Sequence, residues 1–188
     1  VYENIGKTDS LSVTFNLLAK DENIWDLYGT RTRVQMQKAC PFELSTFEGY
    51  CLLTSSFFSA YMTNTEHRLL QAERDKAEDN TIILHDFFYK NYDLKIKYDP
   101  SDPLKPFVEF DEQIIGSTAE AFGTIYGNGK LMCDQPVAYD SYYNVCQKFV
   151  ILYTTIYVVG KGTVGTYVNI LEWISDEEAE QYKKEEGL

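Results

Sequence analysis

KLMCDQPVAYDSYYNVCQKFVILYTTIYVVG, residues 130–160, predicts two β-strands joined by a tyrosine-rich loop, with Cys133 and Cys146 near the ends of that loop. The second strand, 149–159, is an almost unbroken run of Val, Ile, Leu, Tyr and Thr. These residues favour a strand over a buried helix because the run is short and Gly160 bounds it. A strand this apolar is covered on both faces, or it lines a barrel that something fills.

The composition indicates one domain, 1–188, with a full core. The chain has 188 residues, of which 44% are hydrophobic and 15% aromatic, and 15 are tyrosines. No apolar run approaches the roughly 20 residues of a membrane-spanning helix, so we expect no membrane span. The net charge of -12 argues against a nucleic-acid partner. No signal peptide begins at Val1, so the sequence predicts either a cytosolic protein or a mature secreted chain.

The segments before and after this stretch read mostly as further strands. In 92–98, for example, Tyr92, Leu94, Ile96 and Tyr98 alternate with charged residues, which indicates one buried and one wet face. Eight or nine consecutive strands with hairpin connections predict an all-β fold, an eight-stranded antiparallel up-and-down barrel over about 22–172. A β-sandwich is the alternative.

Helices are predicted only near the two ends of the chain. The apolar spacing in 10–19 suits a short amphipathic helix, although Val13 and Thr14 also fit a strand. Ser175 and Glu178 form a capping-box pattern, acidic residues fill the first turn, and Gly187 is placed to end the helix. We therefore predict a C-terminal helix over about 175–186.

Four cysteines permit two disulfides with three possible connectivities. Local pairing across each loop is the first expectation, and four reduced, partly buried thiols are the alternative. No cysteine lies in a CxxC pair or near a histidine in sequence, so we expect no zinc or other metal site. The two expected pairs are Cys40 with Cys51 and Cys133 with Cys146.

No enzyme signature survives inspection. Residues 160–165 match the GxGxxG pattern, but a dinucleotide site needs a helix after this pattern, and strand residues follow it here. We therefore interpret these glycines as a chance match in a loop. His85 can be a general base, but no Ser or Cys lies in a nucleophile-elbow motif. We therefore favour the interpretation that His85 is a structural residue of the barrel wall. We expect no catalytic residue and no cofactor.

Three short segments resemble the salivary lipocalins of ticks, a family that includes histamine-binding proteins. The first is 21–28, DENIWDLY, followed by Thr30 and Thr32 and then Cys40. The second is Ile125-Tyr126, a turn, and Cys133-Asp134. The third is 150–155, VILYTT, with the capped helix downstream. The three segments follow one another in the family's order along most of the length of the chain.

The resemblance implies a secreted, eight-stranded barrel closed at one end, with a C-terminal helix packed outside. Members of this family sequester host mediators such as biogenic amines, leukotrienes, fatty acids or sterols, and some act on complement or immune cells. By position, Asp134 matches a carboxylate with which the amine binders hold an ammonium group. The expected function is therefore sequestration of a small hydrophobic or amphipathic host molecule, which modulates host defence.

The residues themselves indicate an aromatic pocket with few charges. Aromatic side chains can hold an ammonium group or a flat apolar ligand, although they also fill barrel interiors without any ligand. The alternative is an interaction protein whose loops bind a host protein, and a barrel packed solid would favour it. The candidate ligand-binding residues are Tyr28, Phe110, Phe122, Tyr126, Asp134 and Tyr153.

Overall fold

The computed structural model describes residues 10–16, 31–37, 40–62, 65–103 and 105–187, and it divides the chain into two compact units, Val1–Cys40 and Pro41–Leu188. In the first unit, strands β1 (Ser10–Asn16) and β2 (Arg31–Gln37) pair antiparallel as a two-stranded sheet. The predicted N-terminal helix is therefore wrong over Ser10–Asn16. Leu11, Val13 and Phe15 alternate with polar residues, and this period-two pattern prevailed over the helical spacing.

The second unit contains the other strands and the helices. The strands are β3 (Gly49–Ser55), β4 (Arg68–Arg74), β5 (Thr81–Leu84), β6 (Leu94–Asp99), β7 (Phe107–Glu109), β8 (Gln113–Ser117), β9 (Lys130–Asp134), β10 (Tyr142–Asn144), β11 (Phe149–Val158) and β12 (Gly162–Ile174). The helices are α1 (Ser56–Tyr61), α2 (Thr118–Phe122) and α3 (Asp176–Glu186), and a 3₁₀ turn spans Leu44–Phe47.

Eight of these strands close an antiparallel β-barrel. The ring runs β3, β4, β5, β6, β7, β10, β11, β12 and then returns to β3, so strands that follow one another along the ring pair with each other and the last closes on the first. The hairpin β8–β9 continues the wall beside β11 beyond the end of β10. The predicted eight-stranded antiparallel barrel is confirmed, but its described strands begin at Gly49.

Side-chain alternation explains why the strands form a barrel. On β6 the buried residues Leu94, Ile96 and Tyr98 alternate with exposed Lys95 and Lys97, as the sequence predicts. β11 alternates in the same way over ten residues. One row of each strand therefore enters a shared core, and the other row forms the outer surface.

Three segments differ from the strand predictions. The sequence of 50–62, YCLLTSSFFSAYM, predicts one strand, but the strand ends at Ser55. The Ser55 side chain accepts a hydrogen bond from Phe57 N at 3.1 Å and begins α1. The high charge of 67–79 predicts an exposed helical turn or a long loop, but Arg68–Arg74 forms β4. Residues 118–122 form α2, because Ser117 and Glu120 make a complete capping box.

The C-terminal helix α3 is confirmed with the predicted caps. Ser175 Oγ accepts from Glu178 N at 3.2 Å, Ser175 N donates to Glu178 Oε2 at 2.8 Å, and Gly187 ends the helix in the left-handed region. The helix contacts β3, where Lys183 Nζ donates to Tyr50 Oη at 3.1 Å and lies 4.2 Å from the ring centroid. None of the helices in the described part of the chain is long and apolar enough to cross a membrane.

Candidate functional site

The inside of the barrel is filled by protein side chains. Every strand of the ring contributes residues to one continuous core, including fully buried Leu53, Ile82, Ile96 and Leu152. Phenylalanines from connecting segments fill the two ends. The barrel interior is therefore a packed core, which is how small eight-stranded barrels exclude voids.

One end of the barrel is closed by the segment 41–48, which we call the plug. The plug contains the 3₁₀ turn and inserts Phe47, which is fully buried, into an aromatic cluster. The Phe47 ring centroid lies 4.6 Å from that of Tyr98, 5.1 Å from Trp173 and 5.7 Å from Tyr143. Phe42, which also belongs to the plug, packs on Tyr143 with 5.4 Å between the ring centroids. Two plug phenylalanines thus complete a five-ring cluster, the plug-end cluster.

Two polar atoms in the plug-end cluster have no hydrogen-bond partner among the described residues, Tyr98 Oη and Trp173 Nε1. Both side chains are more than nine-tenths buried. Burial raises the pKa of Tyr98 well above its ordinary value. Tyr143 differs, because its hydroxyl donates to Asp99 O at 3.2 Å. A buried polar group without a partner lowers the free energy of unfolding by about 1–3 kcal/mol, so both atoms destabilise the core that contains them.

The opposite end, which we call the helix end, is closed by α1 and the loop after β5. Phe57 of α1 stacks on Phe88 at 4.7 Å, and Phe88 packs on Phe87 at 4.4 Å. Arg68 holds this loop by donating to Asp86 O at 3.0 Å and Phe88 O at 2.7 Å. Buried hydrophobic rings and satisfied loop carbonyls therefore close this end together.

A buried polar network lies next to α1. Asn169 is fully buried on β12, and its amide donates to Leu152 O at 2.9 Å and to Thr154 Oγ1 at 3.0 Å. Asn169 Oδ1 accepts from Ser55 Oγ at 2.6 Å, and Ser55 also caps α1. The network joins β3, β11 and β12 with each polar atom of the Asn169 side chain satisfied.

The barrel wall has an outer cleft of about 450 Å³ beside β6, where the pairing of β7 with β6 ends and a separation opens between β6 and β8. The side-chain amide of Gln113 bridges this separation, because its Oε1 accepts from Lys95 N at 2.8 Å and its Nε2 donates to Lys95 O at 2.9 Å. Lys95 Nζ also pairs with Asp75 Oδ2 at 2.5 Å. Half of the remaining lining residues are charged, namely Glu78, Lys97, Glu109 and Asp111, so the cleft suits polar ligands better than apolar ones.

The outside of β10–β12 carries an aromatic and aliphatic surface, which we call the outer aromatic face. Tyr142 lies opposite Ile151, and Ile151 lies opposite Ile170, so their side chains share one side of the sheet. Tyr139 stacks on Tyr153 at 5.1 Å. Tyr139 is 53% and Tyr142 39% exposed. The face comprises Tyr139, Tyr142, Phe149, Ile151, Tyr153, Val168 and Ile170.

His85 lies between two carboxylates on the outer surface. Its Nδ1 is 3.0 Å from Asp93 Oδ2, and its Nε2 is 3.5 Å from Glu73 Oε2. Both ring nitrogens thus lie close to acidic side chains on the outer surface. In the described part of the chain, no three His, Cys, Asp or Glu side chains are grouped so as to hold a metal ion.

The predicted ligand-binding residues do not gather in one place. Tyr28 lies outside the described residues. Phe110 is buried at the wall cleft, and Phe122 of α2 packs on Tyr61 at 5.5 Å near the helix end. Tyr126 is exposed, with Lys161 Nζ 5.4 Å from its ring centroid.

The last two predicted residues lie on the outside of the barrel. Asp134 is an exposed residue of β9, and its carboxylate accepts from Gln135 N at 2.7 Å. Tyr153 belongs to the outer aromatic face. The sequence pattern did not single out the plug phenylalanines, because a short irregular segment after Cys40 has no periodicity that marks it as buried.

The structure forms one disulfide, Cys40–Cys146, and the two remaining thiols are free and buried. The expected local pairs, Cys40–Cys51 and Cys133–Cys146, do not form. Cys51 and Cys133 occupy inward positions of β3 and β9, so both point into the core, and burial raises the pKa of each thiol, for Cys133 to about 12. Cys146 instead lies in the turn between β10 and β11.

Fold and site together define a closed antiparallel β-barrel protein whose own core occupies the barrel. Residues 27–185 match the family described as "Domain of unknown function (DUF4984)", and the chain belongs to that family. No curated protein and no solved structure matches the chain.

Proposed function

We propose that the protein is a binding protein in which the filled barrel is the scaffold and the outer aromatic face is the binding surface. The observation that supports this proposal is the packed interior, since protein side chains occupy the volume that a sequestered ligand would need. Exposed aromatic side chains fixed on a rigid sheet are typical of protein-binding surfaces.

The charges around this face favour a basic partner. Exposed Glu172 lies directly opposite Phe149 on the neighbouring strand, and exposed Asp140 follows Tyr139 in the loop. The net charge of the chain is -12. Arginine stacks on tyrosine rings and pairs with carboxylates, so the partner we infer is a protein surface with Arg or Lys beside aliphatic or aromatic side chains.

The loop that carries Tyr139 is anchored to the barrel. Tyr153 N donates to Ser141 Oγ at 3.0 Å, and Val108 N donates to Ser141 O at 3.0 Å. Gln135 Oε1 accepts from Phe110 N at 3.2 Å at the other end of the same loop. A surface held in this way loses little conformational entropy when a partner binds.

The proposal also includes secretion and a host partner, as the resemblance to the tick salivary lipocalins predicts. The Cys40–Cys146 disulfide is the structural feature compatible with an oxidising compartment. The lipocalin identity, the sequestration of a small host molecule and the absence of catalysis stay predictions.

Selection of a random-peptide phage library on the immobilised protein tests the binding proposal. We expect the selected peptides to combine Arg or Lys with apolar residues and to bind more weakly as salt concentration rises. Their binding should fall at least about tenfold in the double variant Tyr139→Ser/Tyr142→Ser, because buried aromatic anchors contribute most of the binding energy.

The matched control is Ile125→Ser/Tyr126→Ser, which removes comparable exposed apolar area near α2. Peptide binding should be unchanged in this variant. Peptides that bind the Tyr139→Ser/Tyr142→Ser protein as well as the wild type, or that carry no basic residues, would contradict the proposal.

A further inference from the structure

The plug-end cluster combines two features that a purely structural core rarely combines. Tyr98 stacks on Phe47 and Trp173 meets it edge-to-face. The cluster also contains two buried donors without partners among the described residues, Tyr98 Oη and Trp173 Nε1. An indole N–H can only donate, so Trp173 is satisfied only by an acceptor atom. The missing complement is therefore an acceptor placed among aromatic rings.

The plug enters the core through its aromatic side chains, between the Cys40–Cys146 disulfide and the start of β3. Its single 3₁₀ turn has no side-chain hydrogen bond at its N-cap, Glu43. Outside the aromatic contacts, the plug is joined to β4 by the ion pair Glu48–Arg74, whose two side chains are well exposed. Exposed ion pairs contribute about 0–1 kcal/mol. Displacing Phe47 therefore costs mainly its ring packing, while the Cys40–Cys146 disulfide and β3 keep the two ends of the plug in place.

We propose that the plug-end cluster is a binding site for a planar one- or two-ring aromatic molecule that carries an acceptor oxygen, and that Phe47 competes for this site. The ligand ring takes the position of Phe47 against Tyr98 and Trp173, and its oxygen accepts from one or both donors. In the free protein, Phe47 occupies this site. Only the fraction of molecules in which Phe47 has left the site can bind ligand, and this lowers the apparent affinity.

Coumarin and naphthalene are the matched probes, because they have similar size and shape and only coumarin carries carbonyl oxygen. Trp25→Phe leaves Trp173 as the sole tryptophan and so makes its fluorescence a reporter of the site. We expect coumarin to bind with a change in Trp173 emission. The ratio of coumarin to naphthalene affinity, measured by calorimetry, should fall about fivefold in Tyr98→Phe and in Trp173→Phe.

Tyr143→Phe is the control for the donors, because the Tyr143 hydroxyl already donates to Asp99 O, and it should leave the ratio unchanged. Phe47→Leu should raise coumarin affinity, whereas Phe88→Leu at the helix end should not. The proposal would be overturned if Tyr98→Phe left the ratio of coumarin to naphthalene affinity unchanged. It would also be overturned if coumarin bound neither the wild type nor Phe47→Leu. An ordered water that satisfies both donors in a high-resolution structure, with coumarin failing to displace it, would overturn it as well.

Discussion

The two ends of the barrel are closed by different means. At the helix end, α1 has a side-chain cap, Arg68 satisfies two loop carbonyls, and Asn169 completes a buried network. At the plug end, a short 3₁₀ turn presses Phe47 against rings that include two donors without partners. The helix end also contains one buried polar atom without a hydrogen-bond partner among the described residues, the Tyr89 hydroxyl. The comparison teaches that hydrogen bonds supplement ring packing at the helix end, whereas ring packing dominates at the plug end.

Truncating the phenylalanine at each end gives the largest expected effects. Phe88→Ala should lower the free energy of unfolding by about 4 kcal/mol and Phe47→Ala by about 3 kcal/mol. The difference is expected because Arg68 fixes the loop that carries Phe88, whereas the plug can shift to fill part of the cavity. Urea unfolding measures both values. If Phe47→Ala cost clearly more than Phe88→Ala, the plug would be the more rigid end.

Removing the Asn169 side chain should weaken the helix end by about 3 kcal/mol. Asn169→Ala leaves Ser55 Oγ, Leu152 O and Thr154 Oγ1 buried with fewer partners, and Ser55 is also the cap of α1. Urea unfolding followed by far-UV circular dichroism measures the loss. Ser59→Ala, which removes an exposed hydroxyl from the same helix, should change stability by less than about 0.5 kcal/mol. Equal effects of the two substitutions would contradict the role of the network.

A pair of tyrosine substitutions tests whether the donors at the plug end truly lack partners. Tyr98→Phe should leave stability unchanged or raise it by up to about 1 kcal/mol, because it removes a buried hydroxyl without a partner. Tyr143→Phe should lower stability by about 1 kcal/mol, since it removes the hydrogen bond to Asp99 O. Thermal unfolding of the two variants side by side is the measurement. A larger loss in Tyr98→Phe would show that its hydroxyl has a partner.

The strands that close the barrel were predictable where alternation is strong. Residues 92–98 have one apolar row, which lies inside on β6, and the almost unbroken apolar run 149–159 forms β11. The capping box Ser175–Glu178 likewise predicted α3. In these segments local pattern and tertiary burial agree, so the sequence alone is sufficient.

The ends of the barrel were not predictable, because they depend on contacts between residues far apart in sequence. Ser55 ends β3 within an apolar run that reads as one strand, and its hydrogen bond to Asn169 joins positions 114 residues apart. The disulfide Cys40–Cys146 was missed for the same reason. Tyr153, a candidate pocket residue by sequence, lies on an outward position of β11, because period-two alternation does not say which row is inside.

The smallest expected effect concerns the charges beside the plug. Asp75 follows β4 directly after Arg74, and the hydrogen bond from Lys95 Nζ lowers the pKa of Asp75 below its usual 3.8. A lowered folded-state pKa means that the unfolded chain binds the proton more readily, so the ionised pair stabilises the fold above pH 3.8, and this contribution is lost as pH falls through the folded-state pKa.

Asp75→Asn should therefore lower the melting temperature at pH 7, and the difference from wild type should shrink below pH 3.8. Thermal unfolding across this range, with Trp173 fluorescence in the Trp25→Phe background, measures the difference at the plug end. Lys76→Met, which changes a neighbouring exposed charge, should give a difference that does not vary across this acid range. If the Asp75→Asn difference were also constant with pH, the Lys95 pair would not stabilise this rim. The plug end would then depend still more on ring packing, which sharpens its contrast with the helix end.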